Sequence, residues 1–149
     1  MMPARPTESE IHNIHASCVA AAEGGVLILG ASGQGKSDLA LRLIDRGARL
    51  VADDRCDVWH ADGALWCRPP EALAGRIEVR GIGIVERPWT APAPLTLAVR
   101  LAERYDRMPA ANEVEMVAGH ALPALRLSAF EASAPIKVMI ALERLAAAA

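Results

Sequence analysis

"GVLILGASGQGKSDLALRLIDRG", residues 25–47, is the stretch that decides how this chain folds. The unbroken apolar run from Val26 to Leu29 is the pattern of a strand buried on both faces. Glycines at 30, 33 and 35 interrupt it. From Lys36, the apolar residues Leu39, Leu41, Leu43 and Ile44 predict the inner side of a helix, which Gly47 ends as a C-terminal cap. Between strand and helix, Gly30 to Ser37 spells G-x-x-x-x-G-K-S, a P-loop. In that context successive backbone N–H groups converge on a phosphate and the helix points its positive end at the same anion. The candidate cradle is therefore Gly30, Ala31, Ser32, Gly33, Gln34, Gly35, Lys36 and Ser37. Lys36 would reach the outer phosphates of a nucleotide and the Ser37 hydroxyl would ligate magnesium. At ordinary glycine frequencies of about 7%, the motif arises by chance in roughly one protein of a few hundred.

Composition narrows the setting. With 149 residues, 52% of them hydrophobic, the chain has material for one core. We expect residues 1–10, polar and proline-containing, to form a disordered leader, and residues 11–149 to form a single domain. A net charge of −2 offers no basic field for nucleic acid or an anionic membrane. No apolar run reaches the roughly 18 residues of a membrane helix, and the N-terminus lacks the apolar segment of a signal peptide. Cys18, Cys56 and Cys67 are odd in number and contain no C-x-x-C, which argues against a disulfide framework and a zinc site. A cytoplasmic location is expected.

Outward from the motif, "IHASCVAA" (14–21) reads as a strand before it, and "ARLVADD" (48–54) as a strand after it ending in two carboxylates. "WHADGALWC" (59–67) reads as a hairpin turning at Asp62-Gly63. "GRIEVRGIGIV" (75–85) alternates Ile77 and Val79 with Glu78 and Arg80, then bends at G-x-G. "ERPWTAPAP" (86–94) is an irregular connection. "PLTLAVRL" (94–101) is a strand, "AERYDRMPAANE" (102–113) a loop, and "VEMVA" (114–118) and "ALRLSAF" (124–130) weaker strands. A terminal helix opens at Ser133-Ala134-Pro135, with Ile136, Met139, Ile140 and Leu142 toward the core. The fold class is α/β, a nucleotide-binding domain on a central mixed sheet.

A P-loop names no reaction. Asp53 and Asp54 close an apolar strand soon after Ser37, which brings them beside the loop if the helix makes an ordinary crossover. Carboxylates there hold magnesium or accept a proton, and because adjacent strand residues face opposite ways, at most one faces the phosphates. From spacing alone, Glu78 is either a ligand or half of a solvated ion pair with Arg80. His15 is either functional or a surface residue. Arg107 either steadies a transferring phosphoryl group or is simply solvated.

Taken together, "IHAS", "GASGQGKSD", "RLVADD", "GRIEVRGIGIV" and "ERYDRMP" resemble the catalytic domain of HPr kinase/phosphorylase, over about His15 to Arg107. The "VADD" so soon after the P-loop and the later E-x-R-G-x-G-I are more specific than the P-loop itself. The resemblance implies a fold like that of HPr kinase and PEP carboxykinase, with ATP and Mg²⁺ as cofactors and an HPr-type phosphocarrier protein as partner. It implies that Gly30–Ser37 bind the triphosphate and that Asp53 takes the acceptor serine proton. Ser37 and Glu78, with Asp54 as a further candidate, would be metal ligands. His15 would lie close to Asp53, and Arg107 would steady the transferring group alongside Lys36.

This chain resembles the short form of the family, without the N-terminal domain of its long members. Where those have an arginine-rich stretch before the last helix, it has "SAFEASAPIK" (128–137). How HPr is held, whether a homo-oligomer forms and whether the phosphorylase direction is retained therefore stay open. Two other classes remain beside a protein-serine kinase: a small-molecule kinase or nucleotide hydrolase, and a catalytically silent ATP-binding regulatory module.

Overall fold

The computed structural model describes residues 2–110 and 112–148. Its strands are β1 (His12–Ile14), β2 (Ala16–Ala21), β3 (Gly24–Leu29), β4 (Arg49–Ala52), β5 (Cys56–Ala61), β6 (Ala64–Arg68), β7 (Arg76–Val79), β8 (Gly83–Glu86), β9 (Ala93–Leu101), β10 (Val114–Val117) and β11 (His120–Leu127). The helices are α1 (Lys36–Asp45) and α2 (Ala134–Ala148).

The apolar run before the P-loop is β3, and it lies inside a mixed sheet, antiparallel to β2 and parallel to β9. Its alternate residues enter two different cores. Val26 and Ile28 face the side covered by α1 and α2, beside Leu39, Leu43, Leu97, Val99, Val138 and Leu142. Leu27 and Leu29 face the other side, with Val51, Val58, Leu65, Leu95 and the three cysteines. A strand buried on both faces has no room for polar residues, which is why its sequence is continuous and not alternating. The sheet runs β1-β5-β6-β9-β3-β2-β4. The start of β9 pairs with β6 (Cys67 opposite Ala93), while its C-terminal half pairs with β11 (Leu127 opposite Leu101). Hydrogen bonding with Cys67 and burial hold the Cys56 thiol well above its ordinary value, so it stays protonated and serves as packing.

Several local expectations hold. The helix starts at Lys36, and Gly47 follows it at φ +106°, donating to the Ile44 carbonyl at 3.0 Å. The β5–β6 hairpin turns on Asp62 (φ +52°) and Gly63 (φ +77°), the signs a type I′ turn demands. Glu8–Glu10 form a 3-10 turn closed by Thr7 and Glu10, and β1 pairs with β5. Other expectations are corrected. The 75–85 segment is a two-stranded hairpin of its own, β7 against β8. The last strand begins at His120, not at 124, after a turn at Ala118 and Gly119. Alanine gives no turn signal, and Pro123 argues against a strand. It is tolerated because pairing with β9 begins only at Ala124. On α2, Ile136 and Ile140 are exposed. Val138 and Leu142 form the inward face, with Met139 partly buried, because the true helical phase runs through Ala134, Val138 and Leu142. No described helix is long and apolar enough to cross a membrane.

Candidate functional site

The P-loop connects the C-terminal end of β3 to α1. Gly33 and Gly35 adopt φ +83° and +93°, a region L side chains rarely visit. A Cβ on Gly35 would lie 3.0 Å from the Ala129 Cβ, so glycine is required there on two grounds. The loop is braced from within: the Ala31 N–H donates to Gln34 Oε1 at 2.7 Å, and Lys36 Nζ donates to the carbonyls of Gly30 (2.7 Å) and Ala31 (3.1 Å). Burial pulls the Lys36 ammonium below its ordinary value, and the Asp54 and Asp53 carboxylates oppose that shift.

Asp53 is the hub of the site. It follows the last residue of β4 and is 4% exposed. Its Oδ1 accepts from Ser17 Oγ and Ser37 Oγ, each at 2.7 Å, and its Oδ2 accepts from the Glu78 N–H at 3.0 Å. One carboxylate thus ties β2, the P-loop helix and β7 together. Ser17 is wholly buried and was not singled out from sequence. Its signal is a hydroxyl in an apolar strand, since a buried polar group needs a partner.

Asp54 points the other way. The Arg55 N–H closes a tight turn on the Asp53 carbonyl at 2.8 Å, with Asp54 at φ +70°, and this turn swings the second carboxylate out of the fold. Its Oδ1 lies 3.0 Å from His15 Nε2, and both side chains are solvent-accessible. His15, Ser17, Ser32, Gly33, Gly35 to Asp38, Asp54 and Glu78 to Arg80 line one cleft of about 420 Å³, with Leu41 and Phe130 completing the wall. Among the described residues no preformed cluster of three or more His, Cys, Asp or Glu side chains is present.

Arg107 is not brought to this cleft. It is exposed and lines a separate cavity of about 820 Å³ against α2 and β11, together with Arg104, Tyr105, Arg126 and Arg144. Phe130, which the sequence does not single out, does reach the P-loop cleft.

The sequence model of the HPr Serine kinase C-terminal domain matches residues 7–90. The chain belongs to this family. The matched residues of this HPr kinase domain include His15, the P-loop, both aspartates and Glu78, and leave out Arg107 and Phe130. HPr kinase/phosphorylase of Streptococcus thermophilus is 57% identical over 63 residues, 42% of this chain and 20% of that protein. HPr kinase/phosphorylase of Streptococcus equinus is 40% identical over 116 residues, 69% of this chain and 37% of that protein. The chain thus spans between a fifth and two fifths of these curated relatives. The solved structure of the Hpr(Ser) kinase/phosphatase from Coxiella burnetii superposes with a TM-score of 0.72 at 28% identity, covering 89% of this chain and 88% of that one. The fold is that of the HPr kinase domain, a mixed α/β sheet with a P-loop.

Proposed function

We propose that this domain is an ATP-dependent protein-serine kinase whose acceptor is an HPr-type phosphocarrier protein, working in the kinase direction. The observation that carries this is the division of labour at Asp53-Asp54: one carboxylate is locked inside the fold on Ser37, and its neighbour is held by His15 in the open cleft. A regulatory module that only binds nucleotide needs the first alone. The second, accessible and oriented, is what an incoming hydroxyl requires.

The mechanism follows from these placements. Loop amides and the Lys36 ammonium bind and orient the triphosphate, with Lys36 exchanging its two carbonyl contacts for phosphate oxygens. Ser37, Asp53 and Glu78 carry hard oxygen donors of the kind magnesium takes: Asp53 accepts from the Ser37 hydroxyl and from the Glu78 backbone N–H, and Ser37 and Glu78 line the cleft. A magnesium ion held by these groups would supply positive charge to offset that of the triphosphate. Asp54 accepts the serine proton, the serine oxygen forms the new bond to the γ-phosphorus, and the bond to the β-phosphate oxygen breaks to release ADP. His15 fixes the Asp54 carboxylate toward the acceptor. The family resemblance pointed to Asp53 as the base, but Asp53 already accepts three hydrogen bonds and is buried, so the geometry supports Asp54 in that role. Arg107 has no part in this mechanism.

Incubation with γ-labelled ATP, Mg²⁺ and HPr from the same cell tests the reading, with the labelled residue then mapped. One labelled serine is expected, lost in Asp54→Asn. ATP turnover indifferent to HPr would instead support a small-molecule kinase or hydrolase. ATP binding without any transfer would support a regulatory module.

A further inference from the structure

Phe130 is the chain's single phenylalanine, and it is 69% exposed. Exposure alone says little, since isolated apolar side chains are common on surfaces. Its setting says more. A Cβ on Gly35 would meet the ring at 3.2 and 3.3 Å, so the phenyl edge rests on the P-loop where the loop enters α1. The backbone that carries it is anchored on both sides by one residue of α1: Arg42 donates to the Ala129 carbonyl and, at 3.2 Å, to the Glu131 carbonyl. Arg42 is itself held by Asp38 at 2.9 Å. The segment 129–131 is thereby clamped to the phosphate-binding helix and keeps the ring beside the loop.

Helical geometry fixes which side of the loop this is. Ser37 and Leu41 share one face of α1, toward β7 and its Glu78, while Asp38 and Arg42 lie about 100° further round, toward Phe130. In the mechanism proposed above, the reacting end of the triphosphate lies among Ser37, Asp54 and Glu78, which line the cleft. Its nucleoside must leave by the other side of the cleft, and there Phe130 offers the only phenyl, phenol or indole ring among the described lining residues.

We propose that Phe130 is the platform on which the base of the bound nucleotide stacks. The inference rests on the nucleotide-binding reading above and adds the subsite for the base. A phenyl ring carries no hydrogen-bonding group, so it selects by stacking area: ATP and GTP are accepted alike, and pyrimidine nucleotides less well.

The test compares binding of Mg-ATP and Mg-tripolyphosphate by calorimetry on the whole chain, in the wild type, Phe130→Ala and Phe130→Trp. Truncating a base-stacking aromatic weakens binding by roughly 5- to 150-fold. Phe130→Ala is expected to lose ATP affinity in that range with tripolyphosphate affinity unchanged. Phe130→Trp is expected to retain ATP binding, with indole fluorescence quenched on addition of ATP. Equal weakening of both ligands, or of neither, overturns the proposal. Unchanged ATP affinity with a raised KM for the acceptor protein reassigns Phe130 to partner docking. A wild-type chain that binds neither ligand refutes the nucleotide reading itself.

Discussion

Replacing Asp53 by Asn removes a charge and one acceptor while leaving shape almost unchanged, so its cost can be worked out from the three bonds Asp53 accepts. With the amide oxygen in the Oδ1 position, both serine hydroxyls keep a partner. Each bond then falls from the charge-assisted range of about 1.5–3 kcal/mol to the neutral range of about 0.5–1.5 kcal/mol. The amide nitrogen faces the Glu78 N–H, donor against donor, and leaving that N–H unsatisfied costs about 1–3 kcal/mol. Together these give a destabilisation of about 3–6 kcal/mol, a large share of an ordinary domain's 5–15 kcal/mol. For a chain of this size that lowers Tm by about 6–24 °C. Asp54→Asn is the matched control: its side chain is exposed and asparagine tolerates positive φ, so stability changes by less than about 1 kcal/mol while phosphoryl transfer is lost. Urea unfolding followed by circular dichroism measures both. If Asp53→Asn unfolds at the wild-type midpoint, or Asp54→Asn is the less stable of the two, the buried hub is not what holds the site.

Gly33→Ala and Gly35→Ala share nearly the same backbone strain, but only Gly35 has atoms in the way of a Cβ. Both should lose about 1–2 kcal/mol from the left-handed backbone, and Gly35→Ala should lose more and bind ATP more weakly, by thermal shift with and without nucleotide. The Lys137 hydrogen bond, and then that of Tyr105, hold the Glu131 carboxyl below its ordinary value. A lowered folded-state value adds stability above the unfolded carboxyl range near about 4.3, and that stability is lost as pH falls through the folded value. Glu131→Gln should therefore be less stable than wild type at pH 7, by at most about 1 kcal/mol, with the gap closing in acid. Denaturant titrations at pH 7 and pH 3.5 measure this, and a gap that widens in acid contradicts it. Leu43→Ala, which truncates a buried contact between α1 and the sheet, should cost about 2–5 kcal/mol in the same assay.

The parts of the fold that could be read beforehand are those written in local pattern. The apolar run of β3, the glycines of the loop, the amphipathic face of α1 and the Asp62-Gly63 turn each carry their physics within a few residues. The strand ending in two carboxylates was legible too, but their separate orientations were not. Strand alternation predicts opposite faces, whereas the chain leaves the strand at Ala52, and a single positive φ at Asp54 decides which group is buried. Ser17 and Phe130 join the site through partners far along the chain: Ser17 bonds to Asp53, 36 positions away, and Arg42 reaches carbonyls 87 and 89 positions away. Nothing local in "SAFEASAPIK" signals that it folds back onto the P-loop. The phase of α2 was misread because its largest apolar residues, Ile136 and Ile140, are not the ones it buries.

The family match stops at residue 90, while β9, the parallel neighbour of β3, begins at Ala93. A fragment trimmed to the recognised residues would keep nearly every polar group of the site and yet leave the P-loop strand with a raw edge. Unpaired N–H and C=O groups along an apolar strand are a template for intermolecular pairing, so such a fragment should precipitate before it catalyses anything. The smallest engineerable unit of this kinase domain is therefore set by the sheet and extends at least through β11.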